Sequence, residues 1–366
     1  MEKIRVKTAV KNYDVIINDK EFSKLNDELK NRKLSKRVFV LIDKNVDNKW
    51  GNAIRKQITM WSEKLHFHIY NPDERRKNEK SLTKIYSTLL NKGFGRDTLF
   101  ITIGGGITGD LGGFAAATFM RGIQLVHIPT TILAAVDSSI GGKTGINFSG
   151  YKNIVGSFYQ PDLVFIHPDF FRTLPKPEIK CGMGEIVKYA VLSDKKTFSF
   201  IDKNFSRLLA LDKKILFTAI KNCVEFKAKV VESDERELEL RKILNLGHTF
   251  AHAYETVSKF KLKHGEAVTC GIATAAILSE KLKMIEPKSF LKIISLCSKL
   301  KINSRLLIVQ QEKMMNALNM DKKKESGVLK FILPVNIGET AVGVEAPIDL
   351  VLASIDESIL LYKKLV

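Results

Sequence analysis

Short apolar segments, rich in β-branched and aromatic residues, alternate with amphipathic segments in the first half of the chain. Six have the length and composition of buried strands: residues 13–18, 37–43, 64–70, 97–103, 124–129 and 162–167. Helical patterns lie between them, as in residues 81–93. This alternation predicts an α/β domain built on a Rossmann-like parallel sheet.

The pattern changes near Pro175 and Pro177, because proline disfavours helix in the residue before it. Beyond this point the sequence is mostly helical, over residues 178–192, 205–233, 243–259, 265–283 and 288–300. One strand-like segment at 328–334 and a terminal helix from Asp349 complete the chain. We therefore predict an α/β domain over 1–174 and a mainly α-helical domain over 175–366.

Composition excludes several classes of protein. With 45% hydrophobic and 27% charged residues, the 366-residue chain is neither disordered nor collagen-like. No segment approaches 18 uncharged apolar residues and the N-terminus lacks a signal-peptide core, so we expect no membrane partner. The four cysteines form no CxxC motif, which favours free thiols in the cytoplasm.

The formal net charge of +19 indicates an anionic partner. The lysines are spread along the chain, and neither an RNA-binding aromatic signature nor a zinc-finger spacing is present. We therefore expect a generally basic surface and no nucleic-acid partner.

A glycine-rich segment follows the predicted strand 97–103. Gly104, Gly106 and Gly109 spell GxGxxG at a strand–turn–helix junction, where bare backbone N–H groups bind a pyrophosphate. No acidic residue lies about 20 positions downstream to bind the ribose, as an ordinary dinucleotide fingerprint requires. Asp43, at the end of an upstream strand, is the alternative.

Three of the seven histidines, His248, His252 and His264, fall within 17 residues. The spacing of four places the first two on one helix face. With a carboxylate such as Glu185, two of them would make the His/His/Glu set of a catalytic zinc site. Spacing leaves open which two histidines bind and which carboxylate joins them.

Five motifs, in this order, resemble the 3-dehydroquinate synthase family. They are GGGITGDLGGFAAATFMRGI, HIPTTILAAVDSSIGGKTGIN, GMGEIVKYA, LNLGHTFAHAYE and KHGEAV. The resemblance runs from about Asp43 to residues 320–334, nearly the whole chain. The wider superfamily includes other sugar-phosphate cyclases and metal-dependent alcohol dehydrogenases.

The resemblance implies a substrate, a reaction and two cofactors. The substrate would be 3-deoxy-D-arabino-heptulosonate 7-phosphate, converted to 3-dehydroquinate and phosphate in the shikimate pathway. NAD would oxidise one hydroxyl transiently, phosphate would leave, and re-reduction and an aldol closure would follow. One divalent ion, zinc or cobalt, would polarise the substrate hydroxyls. A homodimer is also implied.

The resemblance also implies roles for individual residues. The metal ligands would be Glu185, His248 and His264. Residues that bind NAD would be Asp43, Glu74, Lys77, Gly105, Gly106, Asp110, Thr130, Thr131 and Thr173. Catalytic residues would be Asp137, Lys143, Lys188, Lys227, Asn245 and His252. Substrate-binding residues would be Lys152, Asn153, Arg241, Lys322 or Lys323, and Arg121, which would reach across the dimer.

Asp73, Tyr151 and Glu239 stand where the family usually has glycine. Tyrosine tolerates a positive φ poorly, so we predict that Gly150 takes the turn and leaves Tyr151 extended.

Three alternatives differ from this interpretation. A metal-dependent polyol dehydrogenase would need fewer cations than Lys152, Lys188, Lys227 and Arg241 supply. Another sugar-phosphate cyclase is disfavoured by the combination of Asn245, His252 and Arg241. A nucleic-acid-binding protein would show salt-sensitive binding to unrelated duplex DNA.

Overall fold

The computed structural model describes residues 1–307, 311–322 and 329–364. The chain divides into two compact units. The first comprises Met1–Leu174 and Lys227–Arg236, and the second comprises Pro175–Phe226 and Glu237–Val366. The division falls between Leu174 and Pro175, and a short segment that we expected in the helical domain groups with the first unit.

A seven-stranded sheet forms the centre of the first unit. The strands of this unit are β1 (Glu2–Val6), β2 (Tyr13–Ile17), β3 (Arg37–Asp43), β4 (Lys64–Tyr70), β5 (Thr98–Gly104), β6 (Gln124–Pro129), β7 (Lys143–Phe148), β8 (Tyr151–Phe158) and β9 (Leu163–Ile166). The sheet order is β1-β2-β9-β6-β5-β3-β4, and every pairing is parallel except β1 with β2. All six predicted strands and the parallel sheet are confirmed.

Four helices belong to the first unit: α1 (Lys24–Asn31), α2 (Lys44–Trp61), α3 (Glu79–Asn91) and α4 (Gly106–Thr118). Glycines allow α4 to pack closely on its neighbours. A Cβ atom at Gly112 would lie 2.4 Å from Thr102 on β5, and one at Gly113 would lie 2.5 Å from Thr144 on β7. These contacts hold the middle of α4 against β5 and β7.

The sequence analysis missed the antiparallel hairpin of β7 and β8. The turn between these two strands shows how the chain accommodates Tyr151 at a position where the family usually has glycine. Gly150 has φ +84°, whereas Tyr151 has no positive φ and begins β8. The predicted division of roles at this turn is confirmed. Asp73 and Glu239 also have negative φ values, so neither position requires glycine.

The second unit is mainly helical. Its elements are α5 (Lys176–Leu192), α6 (Lys195–Lys203), α7 (Phe205–Leu209), the first part of α8 (Lys213–Ser233), α9 (His248–Val257), α10 (His264–Lys281), α11 (Pro287–Ser298), α12 (Gln311–Lys322), β10 (Phe331–Asn336), β11 (Glu339–Val344) and α13 (Ile348–Lys363). β10 and β11 form an antiparallel pair. Helix α10 is buried along most of its length, because it is apolar on all faces. Among the described residues, no helix is both long and apolar enough to cross a bilayer.

Two predicted helices are shorter than expected. The helix predicted over 205–233 is interrupted at Leu211, which has φ +57°. Asp212 then accepts hydrogen bonds from the backbone N–H groups of Lys214 and Ile215 and restarts the helix. The helix predicted over 243–259 begins only at His248, because Gly247 has φ +77° and a 3₁₀ turn precedes it.

Candidate active site

Predicted cofactor residues follow the carboxyl ends of neighbouring parallel strands. Asp43 ends β3, and its carboxylate accepts a hydrogen bond from Asn45 N at 2.7 Å. Gly104 ends the adjacent strand β5, and its carbonyl accepts from Thr130 N at 2.9 Å, just after β6. Ligands of open α/β sheets bind at this edge. The β3–β5 pairing brings Asp43 beside the glycine loop although it lies some 60 residues upstream.

The glycine loop fits a bound dinucleotide. Gly105 precedes α4, whose first N–H groups have no partner within the helix. A Cβ at Gly105 would lie 3.0 Å from Thr131 and one at Gly106 would lie 3.1 Å from Ser138, so both positions are tight. A Cβ at Gly109 would meet nothing within 4 Å, so space remains beside this turn. Bare N–H groups at a helix N-terminus suit a pyrophosphate.

Lys77 joins residues predicted to bind different ligands. It is buried, and its Nζ contacts the Asp110 carboxylate on α4. The same Nζ donates to Asn153 Oδ1 on β8 at 2.6 Å. Two predicted cofactor residues and one predicted substrate residue therefore share one hydrogen-bond network.

Asp137 and Lys227 are also brought together within the first unit. Asp137 lies in a single π-helical turn, Ala134–Ser138, of the kind often found at functional sites. Lys227 Nζ donates to Asp137 O at 2.6 Å and to Asp137 Oδ1 at 2.7 Å. Lys227 is buried, so this ion pair is largely protected from solvent.

Glu185, His248 and His264 form a possible metal site in the second unit. One ligand atom from each lies within 4.8 Å of the others. The Glu185 carboxylate is fully buried, and its Oε1 is 3.3 Å from His264 Nε2. Two histidines and a glutamate are an established ligand set of catalytic zinc, with positions left for water or substrate. The residues present therefore fit a divalent ion.

Each histidine of the cluster has a partner that fixes its ring. His248 Nδ1 donates to the carbonyl of Leu246 at 3.3 Å, which leaves Nε2 as the ligand atom. Burial, reinforced by Lys188, lowers the pKa of His248 to about 3, so the ring is neutral and suited to bind a metal. His264 Nδ1 is 3.4 Å from Glu255 Oε1. Although burial opposes its charge, hydrogen bonds with Glu185 and Glu255 raise the pKa of His264 to about 10.

His252 lies apart from this ligand set. Its ring centroid is 5.8 Å from that of His248, and the side chain is exposed. Lys188, in contrast, directly contacts a candidate ligand: its buried Nζ is 2.6 Å from Glu185 Oε2. Lys188 therefore neutralises part of the charge of the buried carboxylate.

Each of the three candidate ligands follows or precedes a glycine at a helix crossing. A Cβ at Gly184, before Glu185, would lie 1.9 Å from Gly265 O, and one at Gly265, after His264, would lie 1.8 Å from Cys181 O. Gly247, before His248, packs against Gly271 of α10, where an added Cβ would lie 2.1 Å from Gly247 O. Backbone contact between α5, α9 and α10 therefore sets the spacing of the ligands.

The remaining predicted residues occupy varied positions. Asn245 Nδ2 donates to Glu237 Oε1 at 2.6 Å, and Arg241 is buried in the same 3₁₀ turn, Leu240–Asn245. The Thr173 hydroxyl accepts from Trp50 Nε1 at 3.0 Å. The other positions are as follows: Glu74 lies in a 3₁₀ turn after β4, Thr131 accepts from Ala134 N, Lys143 begins β7, Lys152 is in β8, and Arg121 is exposed with φ +63°. Lys323 and the side chain of Lys322 lie outside the described residues.

Glu255 is a residue that the sequence analysis missed. It is buried near His264, and at seven positions after His248 it lies on the same face of α9 as that residue. The i, i+4, i+7 spacing of His248, His252 and Glu255 was the available signal. A carboxylate that holds the second nitrogen of a metal-binding histidine fixes the ring orientation.

Comparison with known proteins defines the family. Residues 67–181 match the family described as 3-dehydroquinate synthase N-terminal, and residues 182–324 match 3-dehydroquinate synthase C-terminal. The chain belongs to the 3-dehydroquinate synthase family. It is 42% identical to the 3-dehydroquinate synthase of Pelagibacter ubique over 92% of this chain and 93% of that protein. It is 38% identical to that of Ruminiclostridium cellulolyticum over 87% and 89% of the two chains.

Solved structures of two cyclases and of a dehydrogenase share the fold of this member of the 3-dehydroquinate synthase family. A 2-deoxy-scyllo-inosose synthase, complexed with carbaglucose-6-phosphate, NAD⁺ and Co²⁺, superposes with a TM-score of 0.88 at 24% identity, over 97% of this chain and 100% of that one. A 2-epi-5-epi-valiolone synthase from Streptomyces hygroscopicus, with NAD⁺ and Zn²⁺ bound, gives 0.85 at 23%, over 94% and 96%. A glycerol dehydrogenase from Schizosaccharomyces pombe gives 0.66 at 17%, over 96% and 90%. The predicted dehydroquinate synthase-like fold is confirmed.

Proposed function

We propose that this protein is a 3-dehydroquinate synthase that converts 3-deoxy-D-arabino-heptulosonate 7-phosphate to 3-dehydroquinate and phosphate, with NAD and one divalent metal ion. The observation that carries the proposal is the 42% identity, over almost the full length of both chains, to a curated 3-dehydroquinate synthase. The glycine loop of the first unit and the Glu185–His248–His264 cluster of the second support the two cofactors.

The cofactors supply the redox and Lewis-acid chemistry. When bound, NAD would accept, and later return, a hydride from the carbon that bears one substrate hydroxyl, and a metal held by Glu185, His248 and His264 would lower the pKa of that hydroxyl. Glu185 and the rings of both histidines are held by neighbours before any ligand arrives. This preorganisation lowers the cost of placing the substrate.

The chain's own residues bind the substrate and handle its protons. The phosphate and carboxylate of the heptulosonate phosphate call for several converging cations. We assign the phosphate to Lys152 and Asn153 and the carboxylate to Arg241, whose guanidinium is buried. Asp137, paired with Lys227 Nζ, and Lys188, paired with Glu185, are assigned to organise proton movement.

A coupled assay distinguishes this function from that of a polyol dehydrogenase. Because NAD is regenerated in every turnover, phosphate should accumulate from the heptulosonate phosphate while absorbance at the NADH wavelength stays flat. The assay needs NAD in an amount far below that of the substrate, and one zinc ion for each protein chain. Production of one NADH for each substrate consumed would instead identify a dehydrogenase.

We also propose that the protein is a homodimer. The β7–β8 hairpin exposes large apolar side chains, Ile154 and Phe158 among them, with 57% and 44% of their surfaces accessible. Exposed apolar strands of this kind are normally covered by a partner. Tyr159, which follows β8, bonds through its hydroxyl to Ile123 O and packs on Gly122, the residue after Arg121. A second copy on the hairpin would therefore lie beside Arg121.

Placing a charge on the hairpin tests the dimer. Ile154→Asp should sediment as a monomer and lose activity, because a buried unpaired charge opposes association. Leu291→Asp is the matched control, since Leu291 is exposed on α11, and this variant should sediment like the wild type. A wild-type protein that is monomeric and fully active would contradict the dimer.

A cytoplasmic location completes the proposal. All four cysteines are buried free thiols, and burial raises the pKa of Cys181 and of Cys297 to about 12. Thiols of this kind are typical of a reducing compartment.

A further inference from the structure

Asn147, near the end of β7, contacts two segments to which we have assigned different ligands. Its Nδ2 donates to both Glu74 O and Glu74 Oε1 at 2.9 Å, in the turn assigned to NAD. Its Oδ1 accepts from Asn153 N at 2.9 Å, in the strand assigned to the substrate phosphate. Both ends of one side-chain amide are therefore used, each toward a different binding segment.

The backbone at Asn147 is irregular in a way that directs this side chain. The β7–β8 register shifts between Ile146 and Phe148, so Asn147 occupies a bulge. Its N–H donates to Lys77 O at 2.7 Å instead of to the partner strand. A bulge turns a side chain away from the regular alternation of a strand. The bulge thus points the amide between the two segments.

Asn153 has a left-handed backbone conformation, with φ +53°. Asparagine is one of the few residues other than glycine that adopt this conformation routinely. Its side chain accepts from Lys77 Nζ, and its backbone N–H is held by Asn147. The contacts from Asn147 and Lys77 fix Asn153 in this conformation, in which its side-chain amide nitrogen remains available to a ligand.

We propose that Asn147 is a positioning residue that holds the nucleotide-binding carboxylate of Glu74 and the phosphate-binding Asn153 in register with each other. This inference rests on the proposed function for the identity of the two ligands. Because the amide presents a donor to Glu74 and an acceptor to Asn153, a side chain with only one of these groups can support only one ligand.

Two substitutions of Asn147 distinguish the contribution of its donor, toward Glu74, from that of its acceptor, toward Asn153. Asn147→Asp keeps an acceptor for Asn153 N but places a carboxylate beside that of Glu74, so it should weaken NAD⁺ binding at least tenfold and change the substrate KM less than threefold. Asn147→Ala removes both ends, so it should weaken NAD⁺ binding and raise the substrate KM, each about fivefold to tenfold. A merely structural role would not produce this difference between the variants.

The measurements use the zinc-loaded full-length protein. NAD⁺ affinity is obtained by calorimetric titration, and the substrate KM by phosphate release at saturating NAD⁺. Asn52→Asp is the control for the added charge, because Asn52 is exposed on α2, and it should match the wild type in both. Thermal unfolding verifies folding, and if Asn147→Ala is unfolded, the nearly isosteric Asn147→Asp decides alone.

Two results would overturn the inference. One is an Asn147→Asp variant whose NAD⁺ affinity stays within twofold of the wild type, and the other is one whose NAD⁺ affinity and substrate KM deteriorate equally. A failure of the proposed function would look different from a failure of this inference. In that case the wild-type protein would release no phosphate, but the NAD⁺ affinities of the wild type and the variants could still be compared.

Discussion

Replacing His248 with alanine should remove the bound divalent ion and reduce phosphate release by at least about a thousandfold, since Lewis-acid stabilisation by a metal is worth several kcal/mol. His248 supplies a neutral ring whose Nδ1 is already engaged by Leu246 O, so no other side chain can take its place without rearrangement. Metal content per chain, measured by atomic emission after gel filtration, should fall close to zero.

His252→Ala is the matched control, because His252 lies on the same face of α9 but outside the ligand cluster. It should keep one ion per chain, whatever its effect on turnover. EDTA should inactivate the wild type, and zinc or cobalt should restore it. An experimental structure with a His252 nitrogen at about 2.1 Å from the ion would refute the assignment.

Gly184→Ala should be among the most damaging single substitutions in the second unit. The added Cβ would lie 1.9 Å from the backbone oxygen of Gly265, and a backbone atom cannot move aside as a side chain can. We expect the free energy of unfolding to fall by about 3 kcal/mol or more, which lowers the midpoint of thermal unfolding by about 6–12 °C. Metal affinity should fall as well, because Glu185 and His264 flank the crossing.

The control for this substitution is Gly109→Ala in the first turn of α4. An added Cβ there meets nothing within 4 Å, and alanine favours helix by about 1 kcal/mol over glycine, so the midpoint should not fall. Differential scanning calorimetry and a zinc-chelator competition provide the two readouts. A Gly184→Ala protein with wild-type melting and wild-type zinc affinity would show that the two helices separate at no cost.

The parallel sheet was predictable because buried strands such as β3 and β5 are continuous β-branched and aromatic segments. The β7–β8 hairpin was not, because its sequence is dominated by glycine and polar residues with no clear alternation. The break at Leu211 was equally hidden, since neither glycine nor proline marks it. A capping aspartate, Asp212, stops and restarts the helix instead.

The candidate metal ligands could not be chosen from sequence spacing alone either. Helical spacing pairs His248 with His252, yet His264, on another helix, joins His248 and Glu185 in space. The choice came from family resemblance, because sequence spacing carries no information on how α9 and α10 cross. Glu255 and Asn147 escaped notice for the same reason: their roles depend on residues that only tertiary packing brings near.

The assignment of Lys227–Arg236 to the first unit has a consequence for how the protein can be dissected and synthesised. A fragment that stops at Leu174 would contain Asp137 but not Lys227, which holds both its carboxylate and its backbone carbonyl. On the ribosome, the first unit therefore cannot be completed until more than 60 further residues, including all of α8, have emerged. The first unit is thus not an independent N-terminal module, and maturation of the two units is interleaved.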